Sequence, residues 1–534
     1  MRKSLWLLIL SSSMLLSIPF LVKGMGLVSL IAFIPLLLAE HIATEHNKKH
    51  FWIYYYTAFV LWNLFTTYWI YRATVPGAIA AILLNSLQMA VIFRLFRWVK
   101  KITKSFLPYL FLMIAWLAWE HVYFNWDVSW PWLVLGNSFA TSIKSVQWYE
   151  YTGTLGGSLW VLLVNILLFR ILVGKSKGEP MAKSAISLAA IVLLPLIISH
   201  IIFYTYKEGS TRTQEFVVLQ PNIDPYKEKF AGMGRVEQDN ILMRLGDSAL
   251  QASCPDFIIA PETFISPSAS EPFIENNPMS NHSFLQFREF ARDNKVNMIV
   301  GAVTDTIYFT ALQRPTETAR YIRPYWVDRS NTAVFLGRGG DYGFYHKSKL
   351  VVLVESTPYK KLLRSFMERF SIDLGGAMGS FAPQAEREVF MTDDSVKIGT
   401  AICYESVYGD FYREYILNGA EVMSIITNDG WWGDTPGYRQ HLSFASLRAI
   451  ETRRSIARSA NTGISAFINQ RGEIIASTPW WGESLLRATL PLNEKITIFV
   501  RYGDITGRVS GFLFFLFILM AIVRSRSLYL INKG

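Results

Sequence analysis

At 534 residues the chain has room for two or three domains, and with 51% hydrophobic residues and a mean hydropathy of +0.24 it is too apolar for an ordinary soluble enzyme. The formal net charge is +11, but much of it gathers in short loops between apolar runs, so the high charge reads as membrane anchoring and not as nucleic-acid binding. Two cysteines, Cys254 and Cys403, cannot build a disulfide framework.

Apolar runs fall at about 4–21, 25–40, 51–71, 76–96, 106–123, 153–173, 184–204 and 509–523. Most approach the roughly 20 residues that cross about 30 Å of hydrocarbon, so eight transmembrane helices are expected. Arg2 and Lys3, Lys48 and Lys49, the group Arg97, Lys100, Lys101 and Lys104, then Lys175, Lys177 and Lys183, and finally Arg524, Arg526 and Lys533 lie in alternate loops, whereas the opposite set holds little more than Lys23, Arg72 and Lys144. Cytoplasmic loops carry the excess of Lys and Arg, which puts both termini in the cytoplasm and residues 211–500 on the outer side. The first run has the basic start of a signal peptide, but no small-residue cleavage motif follows it and a second run begins at once, so it reads as an uncleaved helix. No run from 4 to 204 carries a charge near its middle, which argues against an ion or proton pathway. The loop 124–152 holds Trp126, Trp130, Trp132 and Trp148, a crowding expected at the membrane–water interface or along a side entrance for lipid, and Glu120 and His121 at the end of the fifth run are expected to face headgroups.

From residue 215 the period changes. Short apolar strands are expected at 216–219, 257–260, 297–303, 396–403 and 422–427, with helices at 235–252, 283–293 and 438–459. Hairpins are expected over 332–346, turning at Gly-Arg-Gly-Gly, and over 464–477, turning at Asn-Gln-Arg-Gly. Strands interleaved with helices indicate an α/β domain whose sheets are covered by helices. The chain thus divides into a membrane bundle (1–204), a mixed domain (211–500) and a last helix with its tail (501–534).

Three ionisable groups stand just beyond expected strands or turns. Cys403 ends the run Gly-Thr-Ala-Ile-Cys-Tyr-Glu at 399–405, and a thiol attacks acyl carbon only as thiolate, with a base or cation close by. The commonest fate of a free cysteine is burial, and Cys254, in Ala-Ser-Cys-Pro-Asp, fits that fate. Glu262 follows Ile-Ile-Ala-Pro, where a partly desolvated carboxylate becomes a usable base; read in isolation it is as readily a surface acid. Lys347 lies in Tyr-His-Lys-Ser-Lys-Leu, where a fixed ammonium beside a developing oxyanion stabilises it, and the backbone N–H of Tyr404 offers a second donor. Lys349, two residues on, competes for that role. The chain has no Gly-x-Ser-x-Gly elbow, His-Glu-x-x-His pair, P-loop or dinucleotide fingerprint, so no metal and no cofactor is expected.

Glu262, Lys347 and Cys403, in that order and 85 and 56 residues apart, together with Thr-Asn-Asp-Gly-Trp-Trp-Gly-Asp at 427–434, Gln440-His441, Arg-Ala-Ile-Glu at 448–451 and Arg-Ser-Ala-Asn-Thr-Gly at 458–463, resemble the nitrilase, or carbon–nitrogen hydrolase, superfamily. The membrane runs narrow the resemblance to the apolipoprotein N-acyltransferase family, over almost the whole chain. It implies an α-β-β-α sandwich on a membrane helical bundle, with Glu262 as general base, Lys347 as oxyanion-side cation and Cys403 as nucleophile. Glu355 looks like the family's second glutamate, although Val-Leu-Val precedes it here where the family often has Pro-Phe-Gly. Tyr404 and Glu405 match the two residues after the nucleophile. Phe230, standing where the family has a functional Trp, and Trp431 and Trp432 are the implied substrate contacts.

The resemblance further implies a phospholipid acyl donor, a diacylglyceryl lipoprotein acceptor, a multi-pass protein of the bacterial inner membrane with its catalytic domain in the periplasm, and action as a monomer. Segment 356–385 interleaves Leu362, Leu363, Phe366 and Met367 with Lys360, Lys361 and Arg364 before a glycine-rich stretch, and reads as a lid lying on the membrane. A membrane-tethered amidase or hydrolase acting on a small amide or ester is the alternative enzyme, and a transporter or degenerate structural protein the alternative without catalysis.

Overall fold

The computed structural model describes all residues except 1, 104, 177–181, 209–211, 230–231, 272–280, 353, 357–358, 360–380 and 532–534. The chain forms two compact units, Met1–Tyr206 with Tyr502–Gly534, and Lys207–Arg501.

The first unit is helical: α1 (Arg2–Leu21), α2 (Ile34–Glu45), α3 (Trp52–Thr67), α4 (Val75–Ile102), α5 (Leu107–Tyr123), α6 (Tyr149–Ser176) and α7 (Ala182–Thr205), with a last helix at Ile505–Ile531. Among the described residues six helical segments, Gly26–Glu45 among them, are long and apolar enough to cross a membrane, against the eight expected. The other two are helices but shorter. The 16 residues of α3 end where the backbone tightens into a 3₁₀ turn at Tyr68–Arg72, and α5 has 17 residues. The expectation that Glu120 faces headgroups is corrected: its side chain is fully buried, and Oε1 accepts from the backbone N–H of Leu135 (2.9 Å) and from Trp116 Nε1 (3.0 Å). A carboxylate there satisfies a backbone donor of an irregular loop that hydrocarbon would leave unpaired. His121 pairs through Nδ1 with Asp504 Oδ2 (2.7 Å). Of the loop tryptophans, Trp126 is exposed, but Trp132 is fully buried and lies 5.0 Å from both Trp69 and Trp130, which makes it packing and not an interfacial belt.

The second unit contains strands β1 (Thr213–Gln220), β2 (Phe257–Ile259), β3 (Ile265–Ser270), β4 (Asn297–Tyr308), β5 (Arg320–Ile322), β6 (Tyr325–Leu336) and β7 (Tyr342–His346). There follow β8 (Val389–Met391), β9 (Lys397–Ile402), β10 (Val422–Thr427), β11 (Ile456–Ala460), β12 (Ala466–Ile468), β13 (Ile474–Ser477) and β14 (Ser484–Pro491). One sheet runs β14-β1-β2-β4-β6-β5, with β3 on β4 and β7 on β6; the other runs β13-β12-β11-β10-β9-β8. Helices α8 (Arg235–Leu250) and α9 (His282–Asp293) cover the first sheet through Leu242, Leu245, Phe284 and Phe287, packed on Leu219, Ile258 and Val300. Helices α10 (Gly409–Leu417) and α11 (Pro436–Thr452) cover the second. The sheets face each other where Ser459 Oγ on β11 donates to the carbonyl of Leu219 on β1 (2.7 Å). The result is the expected α-β-β-α sandwich.

The helix expected over 438–459 stops at Thr452. Arg453 takes a left-handed backbone (φ 52°), and the chain then pairs as β11 in parallel with β10. The arginines that suggest a helical surface are fully buried and spend their donors on carbonyls: Arg453 Nη1 on Gln470 (3.1 Å), Arg454 Nε on Ala420 (2.7 Å) and Arg454 Nη1 on Lys495 (2.8 Å).

One glycine decides how β4 meets the turn that follows β2. A Cβ on Gly301 would lie 2.5 Å from Glu262 Cα and 2.6 Å from the Pro261 carbonyl, both backbone atoms with no freedom to retreat. The turn is pinned there by Gly301 N–H to Pro261 O (3.1 Å) and Phe264 N–H to Gly301 O (2.7 Å). Gly301→Ala is expected to destabilise the second unit by about 1–3 kcal/mol through forced backbone displacement; an unchanged denaturant midpoint would contradict that close approach.

Candidate active site

Glu262 projects from the β2–β3 turn, where the next residue, Thr263, is left-handed (φ 51°). Its carboxylate is buried and bonded at both oxygens. Oε1 accepts from Lys347 Nζ (3.0 Å) and Asn331 Nδ2 (2.8 Å), and Oε2 from the backbone N–H of Asn428 (3.1 Å). Lys347 follows β7 directly, with its own N–H held by the carbonyl of Asn331 on β6 (2.7 Å). Its ammonium, only 1% exposed, also donates to Glu355 Oε1 (3.0 Å). Glu355 closes the ring by accepting from Asn331 Nδ2 (3.0 Å) and from the N–H of Val351 (2.8 Å). Burial alone would push Lys347 down, but Glu262, Glu355 and Cys403 together hold it well above the ordinary lysine value, so it stays an ammonium at neutral pH.

Cys403 stands one residue past β9 with φ 53°, in the left-handed region that a side chain occupies only at a cost of about 1–3 kcal/mol. Three contacts hold this elbow. Glu405 Oε2 accepts from the Ile402 N–H (2.7 Å), Ser406 Oγ donates to the Cys403 carbonyl (2.8 Å), and His441 Nε2 approaches the same carbonyl (3.1 Å). Burial raises the thiol well above its ordinary value and the nearby Glu262 carboxylate raises it further, against the pull of Lys347. The resting sulfur is therefore a thiol, which needs a base close by before it can act as a nucleophile.

The three residues singled out from the sequence thus come together, with Cys403 within electrostatic reach of Glu262 and Lys347, and Glu355 joins them. Glu405 helps to hold this cluster in place. Fully buried, its Oε1 accepts from the Ser348 N–H (2.6 Å) and Tyr345 Oη (2.9 Å), which ties the end of β7 to the Cys403 elbow. Tyr404 is buried with its ring 5.1 Å from Tyr408. Lys349 is separated from Lys347 by its direction: its ammonium lies over the Tyr408 ring (5.1 Å). Trp432 sets its ring edge-on to His441 (5.5 Å), and Trp431 packs on Tyr226 (5.1 Å), whose hydroxyl donates to the Trp431 carbonyl (2.9 Å). Phe230 lies outside the described residues, as does most of the segment expected to form a lid.

Sequence reasoning assigned no role to Asn331, Lys229, Asp429, His441 or Arg458. Asn331 lies in the polar run Asp-Arg-Ser-Asn-Thr (328–332) of β6, where no local signal sets it apart from its neighbours. Lys229 is buried, donates to the Glu262 carbonyl (3.0 Å) and Thr263 Oγ1 (3.1 Å), and is lowered to about 8 by that burial. Behind the elbow, Asp429 Oδ1 meets His441 Nδ1 (3.0 Å) and Oδ2 takes Arg458 Nη2 (2.5 Å). Burial would raise Asp429, but Arg458 and His441 outweigh it and hold the carboxylate well below its usual range. Among the described residues no group of His, Cys, Asp and Glu is arranged to hold a metal ion.

Residues 12–167 match the family model of the apolipoprotein N-acyltransferase N-terminal domain, and residues 240–496 that of carbon–nitrogen hydrolases. An apolipoprotein N-acyltransferase of Chlorobaculum tepidum is 30% identical over 503 residues, 93% of this chain and 92% of the relative. The chain belongs to the apolipoprotein N-acyltransferase family. Another member, from Geobacter metallireducens, is 28% identical over 94% of this chain and 92% of its own length. Among solved structures, an amidase of the nitrilase superfamily from Nesterenkonia AN1 covers 53% of this chain and 92% of its own at 14% identity, with a TM-score of 0.36. The protein is a membrane-bound N-acyltransferase of bacterial type, built on a carbon–nitrogen hydrolase fold.

Two outcomes follow from this geometry. His441→Ala removes the group bridging Asp429 to the Cys403 carbonyl, and if Cys403 is the reacting group its displacement is expected to lower kcat on the order of 100-fold with KM unchanged; a rise in KM alone would assign His441 to substrate binding instead. Lys229 carries a pH signature. Folded, it loses its proton at about 8, whereas unfolded it keeps it to about 10.4, so between those values the unfolded state holds more protons and stability rises with pH. Denaturant unfolding of wild type and Lys229→Met from pH 7 to 10.5 should show that extra rise only in wild type.

Proposed function

We propose that the enzyme moves a fatty acyl chain from a phospholipid to the α-amino group of a diacylglyceryl-cysteine at a lipoprotein N-terminus, through a thioester on Cys403. The observation that carries the reading is the Cys403 thiol within electrostatic reach of a buried carboxylate already bonded to an ammonium, in a chain of this family.

Glu262 takes the Sγ proton as sulfur attacks the ester carbonyl. The oxyanion that forms is met by Lys347 Nζ and the Tyr404 N–H, charge appearing where fixed donors already stand. Collapse breaks the acyl C–O bond, Glu262 returns its proton to the departing oxygen, and lysophospholipid leaves a thioester behind. The acceptor amine then attacks, Glu262 takes one of its protons and passes it to the sulfur, and the amide departs. Glu355 and Asn331 position Lys347 and Glu262 and touch neither substrate. Trp431, Trp432 and Phe230 are proposed to line the lipid path. Positive-inside loops support an inner-membrane protein with its catalytic unit in the periplasm, and a monomer is the proposed working form.

Intact-mass spectrometry of purified protein incubated with phospholipid, beside Cys403→Ser, tests this reading. The expected result is an acyl-sized adduct on wild type only, released by hydroxylamine and transferred to a diacylglyceryl peptide. Free fatty acid with no acylated peptide would favour the tethered hydrolase, and no adduct with phospholipid unconsumed would reject the donor.

A further inference from the structure

In the first unit, the end of α2, its connection into α3 and the last turns of α4 enclose a cavity of about 520 Å³ that the acyl transfer does not use. Six cations line it: Lys48, Lys49, Arg94, Arg97, Lys100 and Lys101. Glu40 is the carboxylate among them. It is only 1% exposed, and accepts from Arg97 Nε (3.4 Å), Thr44 Oγ1 (2.8 Å) and Lys100 Nζ. Six cations against one carboxylate leave a formal excess of five positive charges around one concavity.

Ordinary anchoring accounts for part of this. Lysines at the end of α4 complement its dipole, and basic residues collect on the side assigned to the cytoplasm. Neither requires a buried carboxylate that fixes two cations in place. Arg97 is held further, 4.9 Å over the Phe51 ring, and Lys100 lies 5.7 Å from the centre of the Tyr109 ring. Side chains pinned in this way lose little freedom when an anion arrives, which is what distinguishes a site from a charged surface. A second feature says what kind of anion. Leu84, Leu87 and Val91 are exposed along α4 at helical spacing, and Arg94 on the cavity wall continues the same stripe. A ligand with a phosphate at one end and an acyl chain at the other fits both at once.

We propose that this cavity binds the phosphodiester headgroup of an anionic phospholipid, with Arg94 and the surrounding lysines donating to its oxygens and an acyl chain lying along Leu87 and Leu84. The site differs from the donor site of catalysis in residues and in unit, and it favours a net-anionic headgroup over a zwitterionic one, because an added ammonium would face the five uncompensated charges.

The experiment is native mass spectrometry of the full-length protein in detergent, supplied with dioleoyl phosphatidylglycerol or dioleoyl phosphatidylethanolamine. Wild type should retain one phosphatidylglycerol in preference to phosphatidylethanolamine. Lys49→Gln/Arg94→Gln/Lys101→Gln should weaken that retention by at least about tenfold, and the equal-charge control Arg2→Gln/Lys3→Gln/Lys175→Gln should not. Equal loss in both variants would overturn the proposal in favour of general surface attraction, as would equal retention of the two lipids. Complete displacement of phosphatidylglycerol by millimolar inorganic phosphate would reassign the cavity to a free anion. Thermal unfolding confirms that the triple variant folds; if it does not, Arg94→Gln alone carries the comparison.

Discussion

One buried ammonium holds the candidate site together. Lys347 is shared by Glu262 and Glu355, both within 3.0 Å, and none of the three has water to fall back on. Two carboxylates and one cation leave a formal negative charge in a low-dielectric pocket, tolerable only where every remaining lone pair finds a donor. Asn331 gives one N–H bond to each glutamate, and the backbone N–H groups of Asn428 and Val351 take the outer oxygens. Those donors come from β6, from the residue after β10, and from the segment beyond β7, so both sheets must be in register for the charge to be carried. The sandwich therefore serves the lysine as much as the lysine serves the chemistry.

The same dependence reaches Cys403. Glu405 accepts from the N–H of Ile402 and from the N–H of Ser348, so one fully buried carboxylate ties the end of β9 to the end of β7. A displacement of either strand would move sulfur and ammonium apart. On the other side of the elbow, Arg458 lies on β11 and neutralises Asp429, which in turn orients His441 against the Cys403 carbonyl. Each strained or charged group is thus held from two directions, which is how a left-handed cysteine persists in the folded state.

What the sequence disclosed and what it concealed divide along these lines. Glu262, Lys347 and Cys403 were legible because each ends an apolar strand, and a charge at that place has few bland explanations once the three are taken together. Asn331 was not, because an asparagine inside a strand looks the same whether it bridges two glutamates or faces water. The overlong helix at 438–459 failed for a definable reason. Its apolar spacing is genuine as far as Ile450, but beyond it Arg453, Arg454 and Arg458 are buried cations satisfying carbonyls and a carboxylate, an environment that helical spacing does not disclose. Glu120 misled in the same way: an ionisable residue at a helix end suggests headgroups, and only the irregular loop around Leu135 explains a buried carboxylate there. Pattern reasoning treats charge as a surface property, and this protein puts several of its charges inside.

That habit bears on the choice between transferring an acyl group and hydrolysing it. A thioester has about the same intrinsic susceptibility to an amine in either kind of enzyme, so the outcome depends on whether water reaches the carbonyl before the acceptor does. Here the groups that would activate water are occupied: Glu262 is bonded at both oxygens, Glu355 likewise, and the Lys347 ammonium lies between them. On the proposed chemistry Glu262 becomes a base only when it gives up one of those bonds, and a proton on the acceptor amine, held at the thioester by the rest of the substrate, is a better replacement than a passing water molecule. The buried charges that make the site hard to read are, on the proposed chemistry, what reserves its base for the acceptor.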